Sequence, residues 1–159
     1  MASITARINN EYKRLKKKPM DFVSFEMNEA NIYEWKFTIS GLINSEYYKG
    51  GSYDGIVTFP KEYPMRPPVV KFTSRLFHPN IYSDGKLCIS ILHEGTDETG
   101  YEHEHERWSP IINVQTIFLS IISILDDPND ESAANLEAAK LWREDKETYR
   151  KIILNDMKK

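Results

Sequence analysis

The sequence predicts an α+β fold: an N-terminal helix, a four-stranded antiparallel meander sheet, a flap, a buried central helix and two C-terminal helices. Three observations predict it. Near the start, Ile4, Ile8, Tyr12 and Leu15 recur at helical spacing. Between residues 22 and 73 apolar residues alternate instead, with turn residues between the runs. Over residues 113–125 they lie on nearly every side of a helix, the pattern of an element inside a core. The chain has 159 residues, 40% hydrophobic and 28% charged, enough for one self-sufficient core. No repeat or linker composition divides it, so it reads as a single domain over 1–159.

The first helix is expected over residues 3–18. Ser3 can cap its start and Pro19 forbids its continuation. Opposite the apolar stripe stand Arg7, Lys13, Arg14, Lys16, Lys17 and Lys18, a basic face that is either solvated or a binding surface. Strands are expected at 22–27, 32–40, 53–59 and 69–73, the second with Tyr33, Trp35, Phe37 and Ile39 on one face. The polar stretch 41–51 reads as a turn. Residues 59–68 hold four prolines, which forbid a central strand or helix and predict a rigid loop with Met65 and Arg66 at its tip.

Residues 77–92 form the flap and hold the only cysteine, Cys88. Eight residues before it stands Asn80, inside His78, Pro79 and Asn80. Ser83, Asp84 and Gly85 between them are a turn signal, so the backbone doubles back and brings the Asn80 amide near the sulfur. Alone, a single cysteine is a small buried hydrophobe. A thiol beside a polar amide instead suits acyl transfer through a thioester, the amide stabilising the oxyanion.

Residues 93–107 carry six carboxylates, Glu94, Asp97, Glu98, Glu102, Glu104 and Glu106, and lack apolar periodicity, so they form a long acidic loop. Cys88, His93, His103 and His105 are poorly spaced for a closed zinc site, and the loop histidines read as solvated. Trp108 anchors the end of the insertion in the core. Ser132 is expected to cap a helix starting near Ala133, and the two last helices cover 133–141 and 145–157, the latter with Tyr149, Ile152, Ile153 and Met157 on its apolar face.

The net charge of −3 argues against wholesale nucleic-acid binding. One cysteine excludes an intramolecular disulfide and fits a reducing compartment. The most apolar run, 117–125, falls well short of the ~18 residues a membrane span needs, and the start lacks an apolar signal core. A cytosolic or nuclear location is therefore expected, with membrane association only through a partner.

His78-Pro79-Asn80 followed at this distance by Cys88 resembles the active site of the ubiquitin-conjugating enzymes, with Ile89 where that family often has Leu. The resemblance spans nearly the whole chain, and the acidic insertion is similar to that of the subfamily linked to endoplasmic-reticulum-associated degradation. It implies the ubiquitin-conjugating enzyme fold, with 77–92 as active-site flap. It further implies ubiquitin carried as a thioester on Cys88, Asn80 at the oxyanion or holding the loop, and His78 organising it. Tyr82 and Ser132 are implied to line the lysine channel, Ser132 standing where many relatives have Asp. Implied partners are ubiquitin, a ubiquitin-activating enzyme that consumes the ATP, and a RING-type ligase; no cofactor is bound. Arg7, Arg14, Met65, Arg66, Ser109, Pro110 and Ile111 are the implied contacts with activating enzyme and ligase. A cytoplasmic enzyme recruited to the cytosolic face of the endoplasmic reticulum, building degradation-type chains, follows. Two other classes stay open here: a cysteine hydrolase, which needs a histidine base oriented by a third group, and a non-catalytic ubiquitin-binding scaffold, against which Cys88 argues.

Overall fold

The computed structural model describes residues 3–95 and 107–158. Helix α1 (Ile4–Lys17) begins at Ser3, whose side chain accepts from the Ala6 amide at 3.0 Å. Ile8 and Leu15 are buried, while Lys13, Arg14, Lys16, Lys17 and Lys18 are exposed. The sheet runs β1 (Val23–Asn28), β2 (Asn31–Ile39), β3 (Tyr53–Thr58) and β4 (Val69–Phe72), antiparallel in sequence order. Trp35 pairs with Met27 on one side and Val57 on the other, and Phe37 with Phe25 and Gly55. Helix α2 (Val114–Asp126) starts at Asn113, whose Oδ1 accepts from the Thr116 amide at 3.0 Å, and buries Val114, Ile117, Phe118, Ile121 and Leu125. Phe118 packs against Phe25 and Phe37, with ring centroids 6.1 and 5.4 Å away, so α2 supplies the layer facing the sheet. Helices α3 (Leu136–Glu144) and α4 (Lys146–Met157) close the far end, with Ala138, Ala139, Tyr149 and Ile153 buried.

The α+β fold is the expected one, and the differences have local causes. Phe22 takes φ +71°, outside the strand region, so β1 starts one residue later. The stretch 41–51 is more than a polar turn: Leu42, Tyr47 and Tyr48 are buried, and the Tyr48 hydroxyl donates to Phe77 O at 2.7 Å and lies 2.9 Å from the Tyr149 hydroxyl. Ser132 does not cap α3. The amides of Ala134 and Asn135 both donate to Pro79 O, at 2.8 and 3.0 Å, which delays the helix to Leu136; Asn135 caps it, accepting from Ala138 N at 3.0 Å.

Each sheet edge meets a further group. At β1, the Lys16 ammonium donates to Phe25 O at 2.7 Å and pairs with Glu26 at 2.6 Å. At β4, Phe72 N donates to Gly85 O at 2.8 Å and Leu87 N to Val70 O at 2.9 Å, so the flap lies along the sheet as a further partner. Gly85 has φ +97°, and a β-carbon there would lie well inside contact distance of the Phe72 carbonyl oxygen. Gly85→Ala is therefore expected to lower stability by about 2 kcal/mol or more. Urea unfolding checks this, and an unchanged midpoint would refute the role given to the glycine.

Candidate active site

The flap is built outward from His78, a fully buried imidazole. Its Nε2 lies 2.7 Å from Ile124 O, and its Nδ1 accepts from the Asn80 amide at 2.9 Å. Those partners require the neutral ring with hydrogen on Nε2. Burial pulls its pKa down to about 4, against the opposing pull of the Ile124 carbonyl and Asp126. His78 thus joins the flap to α2 and turns neither nitrogen toward the sulfur.

Asn80 is 2% exposed. Its Nδ2 donates to Asn129 O at 2.8 Å and its Oδ1 accepts from Asn129 N at 2.9 Å. Its backbone carbonyl accepts from Cys88 N at 2.8 Å. Tyr82 and Lys86 close the turn between them, Tyr82 N donating to Lys86 O at 2.9 Å. The chain therefore does double back through Ser83, Asp84 and Gly85, and Asn80 and Cys88 become backbone neighbours.

The Cys88 sulfur is half-buried and lies 3.4 Å from His93 Nε2. The sequence alone groups His93 with the solvated loop histidines; the structure places it against the thiol. The short 3-10 turn Ser90–Leu92 folds the chain back, with His93 N on Ser90 O at 2.9 Å. No sequence periodicity signals such a turn; the only cue is an imidazole five residues after the cysteine. Tyr82 is 45% exposed, and the charge of a Cys88 thiolate, then desolvation, raises its pKa, so the phenol keeps its proton beside the sulfur. Ser132 is exposed in the 3-10 turn Asp130–Ser132, which follows Asn129 and so borders the flap.

Away from the sulfur, Met65 is 71% and Ile111 89% exposed, at the tips of two loops. The Trp108 indole nitrogen donates to Pro64 O at 2.9 Å and ties these loops together. Ser109 and Pro110 are half-buried. Arg66 pairs with Glu94 at 3.0 Å, which raises the guanidinium pKa, and with Glu62 at 3.5 Å. Arg14 is exposed, but Arg7 departs from the basic face: it turns inward, pairs with Glu11 at 2.8 Å, and donates to Pro110 O and Ile112 O. Asp97, Glu98, Glu102, His103, Glu104, His105 and Glu106 lie outside the described residues. Among the described residues no group of three or more His, Cys, Asp or Glu side chains is placed to hold a metal ion, and no helix is long and apolar enough to cross a membrane.

A family model described as ubiquitin-conjugating enzyme matches residues 7–157. The chain belongs to the ubiquitin-conjugating enzymes. It is 48% identical over 154 residues to ubiquitin-conjugating enzyme E2 7 of Arabidopsis thaliana, covering 96% of this chain and 92% of the relative. It is 49% identical over 148 residues to E2 14 of the same plant, covering 92% and 88%. Against the human ubiquitin-conjugating enzyme E2 G2 the identity is 47% over 148 residues, covering 92% and 89%.

In this ubiquitin-conjugating enzyme His78 gives a pH prediction. Its pKa is about 4 folded and about 6.5 unfolded. The unfolded chain thus binds the proton first on acidification. The stability held above pH 6.5 is lost progressively toward pH 4, by about 2 kcal/mol between pH 7.5 and pH 5. Urea titrations at the two pH values should show that drop in the wild type and a smaller one in His78→Gln; equal drops would assign the acid sensitivity elsewhere.

Proposed function

We propose that Cys88 accepts ubiquitin as a thioester from the activating enzyme and passes it to lysine with a RING-type ligase, extending degradation-type polyubiquitin chains. The observation that supports this most is the geometry around the only sulfur nucleophile of the chain. A half-buried thiol stands at the end of a hairpin whose other limb holds a buried carboxamide.

Each neighbour then has a task. Thioester exchange puts the ubiquitin carbonyl on Cys88 Sγ. Attack by a lysine amine gives a tetrahedral oxyanion, and its collapse expels the thiolate and leaves an isopeptide bond. Asn80 holds the flap through Asn129; a primary amide carries two N–H groups, and the second serves the oxyanion. The attacking lysine must lose a proton held with a pKa near ~10.4 in water. Tyr82 and Ser132 line the approach, where exclusion of water lowers that value. Met65, Arg66, Ser109, Pro110 and Ile111, with Arg14, form the face for ligase and activating enzyme. The ATP is consumed by the activating enzyme, and no cofactor is bound by this chain. The acidic insertion, including Asp97, Glu98, Glu102, Glu104 and Glu106, attracts basic groups of an acceptor ubiquitin. Its likeness to the insertion of the degradation-linked subfamily supports a cytoplasmic enzyme recruited to the endoplasmic reticulum surface by a partner.

The assignment is tested by mixing the protein with activating enzyme, ubiquitin and ATP. Wild type should give an adduct removed by thiol reductant, and Cys88→Ser an ester adduct that resists it. Asn80→Ala should slow discharge to lysine by about a hundredfold or more, with a smaller loss in charging; equal losses would make Asn80 purely a flap anchor. No reducible adduct would overturn the assignment, whereas ubiquitin released as free acid without lysine transfer would point to the hydrolase reading that the Cys88–His93 contact allows.

Deleting residues 96–106 should leave the thioester and reaction with a small amine nearly unchanged while altering chain length or linkage. That difference should fade as salt rises, because the attraction is screened. Gel analysis and linkage mapping across a salt series check this, and identical products at every salt concentration would make the insertion inert.

A further inference from the structure

Arg7 and Glu11 stand one turn apart on α1, and both depart from a solvated helix face. Glu11 is 5% exposed. Its Oε2 accepts from Arg7 Nε at 2.8 Å and from the Tyr63 hydroxyl, and its Oε1 accepts from Val114 N at 2.8 Å. The other end of the guanidinium continues the chain: Nη2 donates to Pro110 O at 3.0 Å and Ile112 O at 3.1 Å. One carboxylate and one guanidinium therefore join four segments: α1, the proline-rich loop, the loop after Trp108 and the first residue of α2.

Stability alone does not account for this arrangement. A buried ion pair loses much of its attraction to desolvation, and a packed apolar pair often does as well or better. What the ion pair adds is direction, because a guanidinium fork fixes the angles as well as the distances of the groups it binds. Burial, then Glu11, raises the Tyr63 phenol, so it stays a donor. Burial pulls Arg7 down, but hydrogen bonding and charge from Glu11 outweigh it. Two of the joined segments end in Met65 and Ile111, apolar side chains held out into solvent.

We propose that Arg7, Glu11 and Tyr63 are positioning residues for partner recognition: they fix the spacing between the Met65 tip and the Ile111 tip, and so the shape offered to a ligase. The proposal rests on the ligase-facing role given to these tips above. Arg7 then acts through the loops it holds rather than by touching the partner.

Arg7→Lys is the sharpest test, because it keeps the charge but one ammonium cannot replace a fork serving a carboxylate and two carbonyls. Glu11→Gln keeps the shape and turns an amide donor toward donors. Tyr63→Phe is the mild control that survives if Glu11→Gln does not fold. In the free protein, Arg7→Lys should move the backbone amide resonances of Met65, Arg66, Ser109, Ile111 and Ile112 more than those of Asn80 and Cys88. With preformed thioester, ligase-stimulated discharge should fall roughly tenfold, the ratio for losing one charge-assisted hydrogen bond. The fall should appear as weaker ligase binding, with the rate at saturating ligase and the ligase-independent discharge kept. Adding Met65→Ala to Arg7→Lys should cause little further loss beyond Met65→Ala alone, since both act through one surface. Amide shifts confined to α1, undiminished ligase stimulation, or strictly additive losses would each overturn the proposal. A wild type that forms no thioester would sink the proposed function instead, and the amide map of the free protein would still judge the hub.

Discussion

The active-site flap depends on a side chain that imitates a strand neighbour. Asn80 gives Asn129 both of the hydrogen bonds that an antiparallel partner would give. The residues on its N-terminal side extend the same function. Pro79 offers its carbonyl to Ala134 and Asn135, and His78 reaches Ile124 O. Three consecutive residues thereby bind the flap to the end of α2 and to the approach to α3. The Asn80 carbonyl passes that anchorage to Cys88 N, so the sulfur is referenced to the core through a short series of bonds. His78, Pro79 and Asn80 are themselves buried, where a donor or acceptor left unpaired costs about 1–3 kcal/mol. The flap therefore shifts only by losing several bonds together.

The sequence shows what periodicity controls. The apolar stripe of α1, the alternation of the strands and the all-round apolar character of α2 each follow from which face meets the core. It fails where distant backbone decides. Ser132 sits at a plausible cap position, but Pro79 O holds two amides and moves the helix start to Leu136. Tyr47 and Tyr48 lie in a stretch read as polar, and Tyr48 is buried because its hydroxyl finds distant partners in Phe77 O and the phenol of Tyr149. At the site, Asn80, Cys88 and the turn between them are legible because turn chemistry is local. His93 is not, since a three-residue 3-10 turn brings it back. Glu11 was open to discovery: 8, 11 and 15 follow helical spacing, and a carboxylate on that buried line requires a partner.

The two ends of the acidic insertion are tied to each other. Trp108 N donates to His93 O at 3.0 Å, and Arg107 Nη2 to Glu94 O at 2.7 Å. His93 and Glu94 therefore meet Arg107 and Trp108 at one place. A change at His93 reaches the thiol directly, whereas Glu94 faces Arg66 and Arg107. Arg66, on the neighbouring loop, meets the same root through Glu94.

The occupied edges of the sheet bear on how the protein behaves when concentrated. An open β edge recruits further strands, from copies of the same chain as readily as from elsewhere. Here Lys16 places its charge on Phe25 O of the β1 edge, and the flap lies along β4. The hairpin that carries the thiol is thus also the seal of the sheet. A lesion that loosens it would expose an adhesive strand as well as impair transfer, so loss of activity and fibrous self-association are expected to arrive together.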